Sequence, residues 1–77
     1  MSDEERYKLI FNILDDEQYK SLDEIKTLMN FGNPKPLSDE EFNLLVHDLL
    51  TEGFIKGKIN DGKLEIIKSH RFNSFFD

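Results

Sequence analysis

The sequence has no cysteine and no tryptophan, and only two of its 77 residues are proline. Without Cys there are no disulfides and no thiolate metal sites, so the fold is expected to stand on packing alone in a reducing, cytoplasmic setting. Long apolar runs are missing too: none approaches the ~20 residues of a membrane-spanning helix. The opening Met1-Ser2-Asp3-Glu4-Glu5 is acidic where a secretory leader needs positive charge, so neither membrane nor export is expected. Positive charge is the scarcest commodity for function, with ten Lys and Arg against sixteen Asp and Glu, net −6. Duplex-binding domains carry a basic footprint, so composition disfavours nucleic acid as the partner. The deficit is uneven. Residues 1–52 hold five basic and thirteen acidic side chains, whereas residues 53–77 hold five basic and three acidic.

What is present suffices for one small core. Hydrophobic content of 38% with seven Phe predicts a single domain over 1–77, of a size that buries roughly 60% of its unfolded surface. The stretch Ser38 to Phe54 organises it. Phe42, Leu45, Val46, Leu49 and Leu50 recur at helical spacing and define one apolar face. Ser38 and Glu41 have the spacing of a capping box, Leu37 and Phe42 that of a hydrophobic staple, and Gly53 supplies a left-handed stop.

Two helices are expected upstream. Tyr7, Ile10, Phe11 and Leu14, widened by Leu9 and Ile13, mark the first over Asp3 to Leu14, with Ser2 and Glu5 as its capping pair and Asp15-Asp16-Glu17 as its stop. Ser21-Leu22-Asp23-Glu24 opens a second over Leu22 to Met29, with Leu22, Ile25, Leu28 and Met29 on one face. The segment Asn30 to Pro36 cannot continue it, and Phe31 is expected to tuck into the core. Downstream, Phe54 to Ile59 and Leu64 to Lys68 read as strands around Asp61-Gly62, a pair suited to a type I′ turn. That register places Ile55, Ile59, Leu64 and Ile66 on one side of the ribbon and Lys56, Lys58, Lys63 and Glu65 on the other. Ser69 then opens a short helix carrying Phe72, Phe75 and Phe76, and the adjacent rings of Phe75 and Phe76 are expected to bury against the first helix or in a second copy of the chain.

Three helices, a C-terminal β-hairpin wing and a short terminal helix predict an α+β winged helix-turn-helix. The runs Leu37-Ser38-Asp39-Glu40-Glu41-Phe42 and Leu49-Leu50-Thr51-Glu52-Gly53-Phe54-Ile55-Lys56-Gly57, with Ser69 and Phe75-Phe76 closing the chain, resemble small bacterial and phage winged-helix proteins such as the YjcQ-like prophage family. The resemblance implies a regulatory or accessory role and carries over no catalytic residue.

In winged-helix proteins the third helix commonly enters the major groove, reading bases and anchoring phosphates with basic groups. Here its outward face holds Glu40, Glu41, Leu44, His47, Asp48 and Thr51, without Lys or Arg. Such a face repels phosphate, and Leu44 becomes the centre of an expected protein-contact surface made of Glu40, Leu44, His47, Asp48 and Thr51. The alternative is a DNA-binding transcriptional regulator touching phosphates through Lys56, Lys58 and Lys63, although lysines on a ribbon also protect its edge from aggregation. An acidic inhibitor imitating nucleic acid ranks below both.

Enzymatic, cofactor and metal roles are not expected. The clusters Asp15-Asp16-Glu17 and Asp39-Glu40-Glu41 are explained by a helix stop and a helix first turn. His47 and His70 lack a paired ligand at helical spacing, and Gly53, Gly57 and Gly62 match no phosphate loop. The expected protein is a binding module whose partner is another protein, monomeric or a homodimer through the first helix and Phe75/Phe76.

Overall fold

The computed structural model describes residues 3–76. Over these residues the chain folds as an α+β domain of four helices and a three-stranded antiparallel sheet. Helix α1 spans Asp3–Ile13, strand β1 Lys20–Ser21, helix α2 Leu22–Asn30, helix α3 Asp39–Glu52, strands β2 and β3 Ile55–Asn60 and Lys63–Lys68, and helix α4 His70–Phe75. The sheet order is β1-β3-β2.

Helix α3 forms for the reasons its sequence carries. The Ser38 hydroxyl accepts from the Glu41 backbone N–H at 3.1 Å, and the Ser38 backbone N–H donates to the Glu41 carboxylate at 3.2 Å, completing a capping box. At the other end Gly53 adopts φ 78°, and its N–H donates to the carbonyls of Leu49 and Leu50. Phe42, Leu45, Val46 and Leu49 are buried, as is Leu37 before the cap. Leu50 is not: it lies at the edge of that face, beside Gly57 of β2, and remains partly exposed.

The hairpin has the expected register, with Ile59 opposite Leu64 and Lys58 opposite Glu65. Asp61 and Gly62 have φ 51° and 77°, the positive values a type I′ turn requires. The apolar side, however, is buried only at its base, through Ile55 and Ile66. Ile59 near the tip is 69% exposed because the hairpin extends past the helices that would cover it. The third strand, β1, has no counterpart in the sequence reading. It pairs Lys20 with Ile66 and Ser21 with Glu65, putting β3 in the middle of the sheet. Two residues are too few for an alternating pattern to register.

Other positions depart from expectation. Phe31 is 85% exposed rather than in the core, since the Asn30 side chain grips both the N–H and the C=O of Leu37 and turns the loop outward after α2. Leu28 is also exposed, because Ile25 and Met29 alone fill the buried face of this short helix. Ser69 does not cap α4. Its hydroxyl instead donates to the Gly53 carbonyl at 2.6 Å, tying the end of α3 to the start of α4. The capping pair expected at Ser2 lies outside the described residues.

The core joins all of these. Ile10, Ile25, Met29, Leu49, Ile66 and Phe72 are the largest fully buried side chains. Phe72 stacks on Phe54 at 5.2 Å and meets Phe11 edge-on at 5.1 Å. Phe76 packs on Phe11 at 4.8 Å and is partly buried against α1, whereas Phe75 touches Phe54 at 5.0 Å but stays half-exposed. Truncation of a buried aromatic leaves both lost transfer energy and a cavity. Phe72→Ala is therefore expected to lower unfolding stability by about 3–5 kcal/mol, read from urea denaturation, whereas Phe75→Ala, at a ring 49% exposed, lowers it far less.

Candidate functional site: the outward face of α3 and its flanking groove

Helix α3 buries one side and presents the other, so Glu40, Leu44, His47, Asp48 and Thr51 are all exposed. Leu44 is 57% exposed at the centre of this face. The Thr51 hydroxyl is turned onto its own helix, donating to the His47 carbonyl at 2.9 Å. Glu41 is also committed: its carboxylate takes the Ser38 N–H and the Arg6 guanidinium, the latter at 3.0 Å. Five carboxylates and no Lys or Arg lie on the helix from Asp39 to Glu52.

Between α1 and α3 runs a groove of about 180 Å³ lined by Arg6, Tyr7, Glu41, Leu44, Leu45 and Asp48. The sequence reading placed Tyr7 in a core stripe and gave Arg6 no role. Their meeting with α3 is a tertiary fact, 35 residues apart for Arg6 and Glu41, with no local signal. Tyr7 also lies edge-on to Phe54 at 5.9 Å and tilted against Phe75 at 6.3 Å, which seats the wall of the groove on the aromatic core.

On the opposite flank a more open cleft of about 310 Å³ lies between α2 and α3, lined by Leu22, Asp23, Lys26, Asp39, Phe42 and Asn43. Lys26 forms an ion pair with Asp39 across it. Lys26 therefore serves the acidic first turn of α3.

The hairpin lysines are gathered differently from their simple alternation. Lys58 lies over the Tyr19 ring, its Nζ 4.4 Å from the centroid, a cation–π contact that sequence reasoning missed because Tyr19 precedes an unrecognised strand. Lys56 and Lys63 are exposed and make no ion pair among the described residues. Lys68 lies over Phe11 at 4.1 Å with Asp16 at 3.8 Å, and Arg71 stands 5.6 Å from the Phe54 centroid. Lys68 and Arg71, like Lys58, cover aromatic rings, leaving Lys56 and Lys63 as the hairpin lysines with neither ring contact nor ion pair among the described residues. Among the described residues no three His, Asp or Glu gather closely enough to hold a metal ion, and no helix is long and apolar enough to cross a membrane.

The electrostatics of the groove have a measurable consequence. Chiefly the Ser38 backbone N–H, then the Ser38 hydroxyl and Arg6, hold the Glu41 carboxyl below its ordinary value. The Glu17 backbone N–H does the same for Asp15. A carboxyl with a lowered folded-state pKa binds its proton less tightly folded than unfolded. Its contribution to stability is present above the ordinary carboxylate value and is lost as pH falls through the lowered one. Urea midpoints measured against pH are expected to drop on that acid side, with a shallower drop in Glu41→Gln. Comparison of the chain with known protein families, characterised proteins and solved structures gives no match.

Proposed function

We propose that this chain is a winged-helix domain that acts by binding another protein through the outward face of α3, as a non-enzymatic accessory or regulatory factor. The fold assignment is supported by element order: a helix, a short strand, two helices and a hairpin, with the returning strand β3 central and β1 on its far edge. In helix-turn-helix architectures the second helix of the unit is the one offered to a partner, and that helix here is α3.

The observation that carries the reading is Leu44, a large apolar side chain 57% exposed on a helix whose charged groups, His47 aside, are all carboxylates. Protein interfaces concentrate their energy in a few apolar anchors inside a polar rim, and Leu44 ringed by Glu40, His47, Asp48 and Thr51 has that composition. In affinity capture from a lysate of the cells that encode the protein, Leu44→Glu should lose the specific partner retained by the wild type. Being exposed, the substitution should change folding stability by no more than about 0.5 kcal/mol. An unchanged set of captured proteins would overturn the assignment.

A second reading, a DNA-binding regulator, is favoured by one observation, the exposed Lys56 and Lys63, which make no ion pair among the described residues, beside Lys58 on the hairpin. Three phosphate contacts would give a log–log salt dependence with a slope of about −3. Fluorescence anisotropy with duplex pools is expected to show no affinity at low salt; binding with that slope, weakened by Lys56→Glu, would establish the second reading instead.

A further inference from the structure

On the wall of the groove beside Leu44 the Arg6 guanidinium donates to Glu41 through Nη2. The rest of the lining is Tyr7, Leu44 and Leu45, with Asp48 beside them. Glu41 is already matched by Arg6, but Asp48 is exposed and makes no ion pair among the described residues. At about 180 Å³ the groove is smaller than the roughly 300–1,000 Å³ of small-molecule sites, a size that suits one side chain better than a cofactor.

Resting on the protein-binding reading above, we propose that the α1–α3 groove is a socket for a cationic, amphipathic peptide segment of the partner. One large apolar side chain of the segment enters against Tyr7, Leu44 and Leu45, and a neighbouring Lys or Arg pairs with Asp48. Charge complementarity selects the occupant. A helix with five carboxylates and no Lys or Arg, on a chain of net −6, attracts a basic segment and repels a second copy of itself.

The test is to pan a random peptide library displayed on phage over the full chain, with Leu44→Glu as the counter-selector. Leu44→Ala takes its place if thermal unfolding shows the glutamate variant does not fold. Enriched sequences are expected to place Lys or Arg close to a Leu, Met or Phe. Their synthetic versions should bind about tenfold more weakly to Asp48→Lys, the scale of one reversed charge at a half-exposed site. The backbone amide resonances of Leu44, Leu45 and Asp48 should shift on binding in heteronuclear NMR spectra. Enrichment of acidic or uncharged sequences, affinity indifferent to Asp48→Lys, or a wild-type dimer that Leu44→Glu dissolves would each overturn the socket. If the lysate partner is still lost in Leu44→Glu, only the socket chemistry falls and the protein-binding reading stands; if it is retained, both fall.

Discussion

The burial of one ring, Phe72, holds the parts of this domain in relation to one another. It has no exposure to solvent and lies 5.1 Å from Phe11 of α1, 5.2 Å from Phe54 at the base of the hairpin and 5.6 Å from Phe76. Aromatic pairs of this geometry add about 0.5–1.5 kcal/mol each beyond their buried area, and they are directional where aliphatic contacts are not. The cluster thereby sets the placement of α1 against the end of α3, and with it the position of Tyr7. A surface feature, the groove between these two helices, is in this sense built from inside.

The acidity of α3 is managed locally. Carboxylates in its first turn are favoured by the helix macrodipole, and the two earlier helices each send one cation to that turn, Arg6 to Glu41 and Lys26 to Asp39. In a domain that docks on a phosphate backbone such cations would be turned toward the partner. Here they are turned onto the helix that would make the contact. Among the described residues Glu40, Asp48 and Glu52 of this helix make no ion pair, nor do Lys56 and Lys63 on the hairpin, and Leu44 lies exposed at the centre of the face. The molecule therefore presents two surfaces of opposite character, and the proposed function assigns the contact to the first.

Legibility from sequence followed the range of the interactions involved. The α3 capping box, its glycine stop, the turn at Asp61-Gly62 and the hairpin register all depend on residues within a few positions of one another, and all appear as read. Strand β1 was invisible because its partner β3 lies more than forty residues away and two residues carry no period. Phe31 and Leu28 depart from expectation because apolar character alone does not decide burial: the α2–α3 loop is directed outward by an amide grip that no pattern announces. Ser69 looked like a cap but found a better acceptor across the fold in Gly53. For the candidate site, the α3 face was legible from the helical period alone. The groove was not, since it needs Arg6 and Tyr7 brought from another helix.

The grip of Asn30 on Leu37 has a mechanical consequence. Where α2 gives way to α3, the chain is fastened by a side chain forming both bonds of what would otherwise be a short backbone bridge, at 2.9 and 3.4 Å. Releasing it costs two hydrogen bonds, about 1–3 kcal/mol together. The junction is thus a latch with its own detachment energy, and it holds Phe31 outward as an exposed aromatic flag.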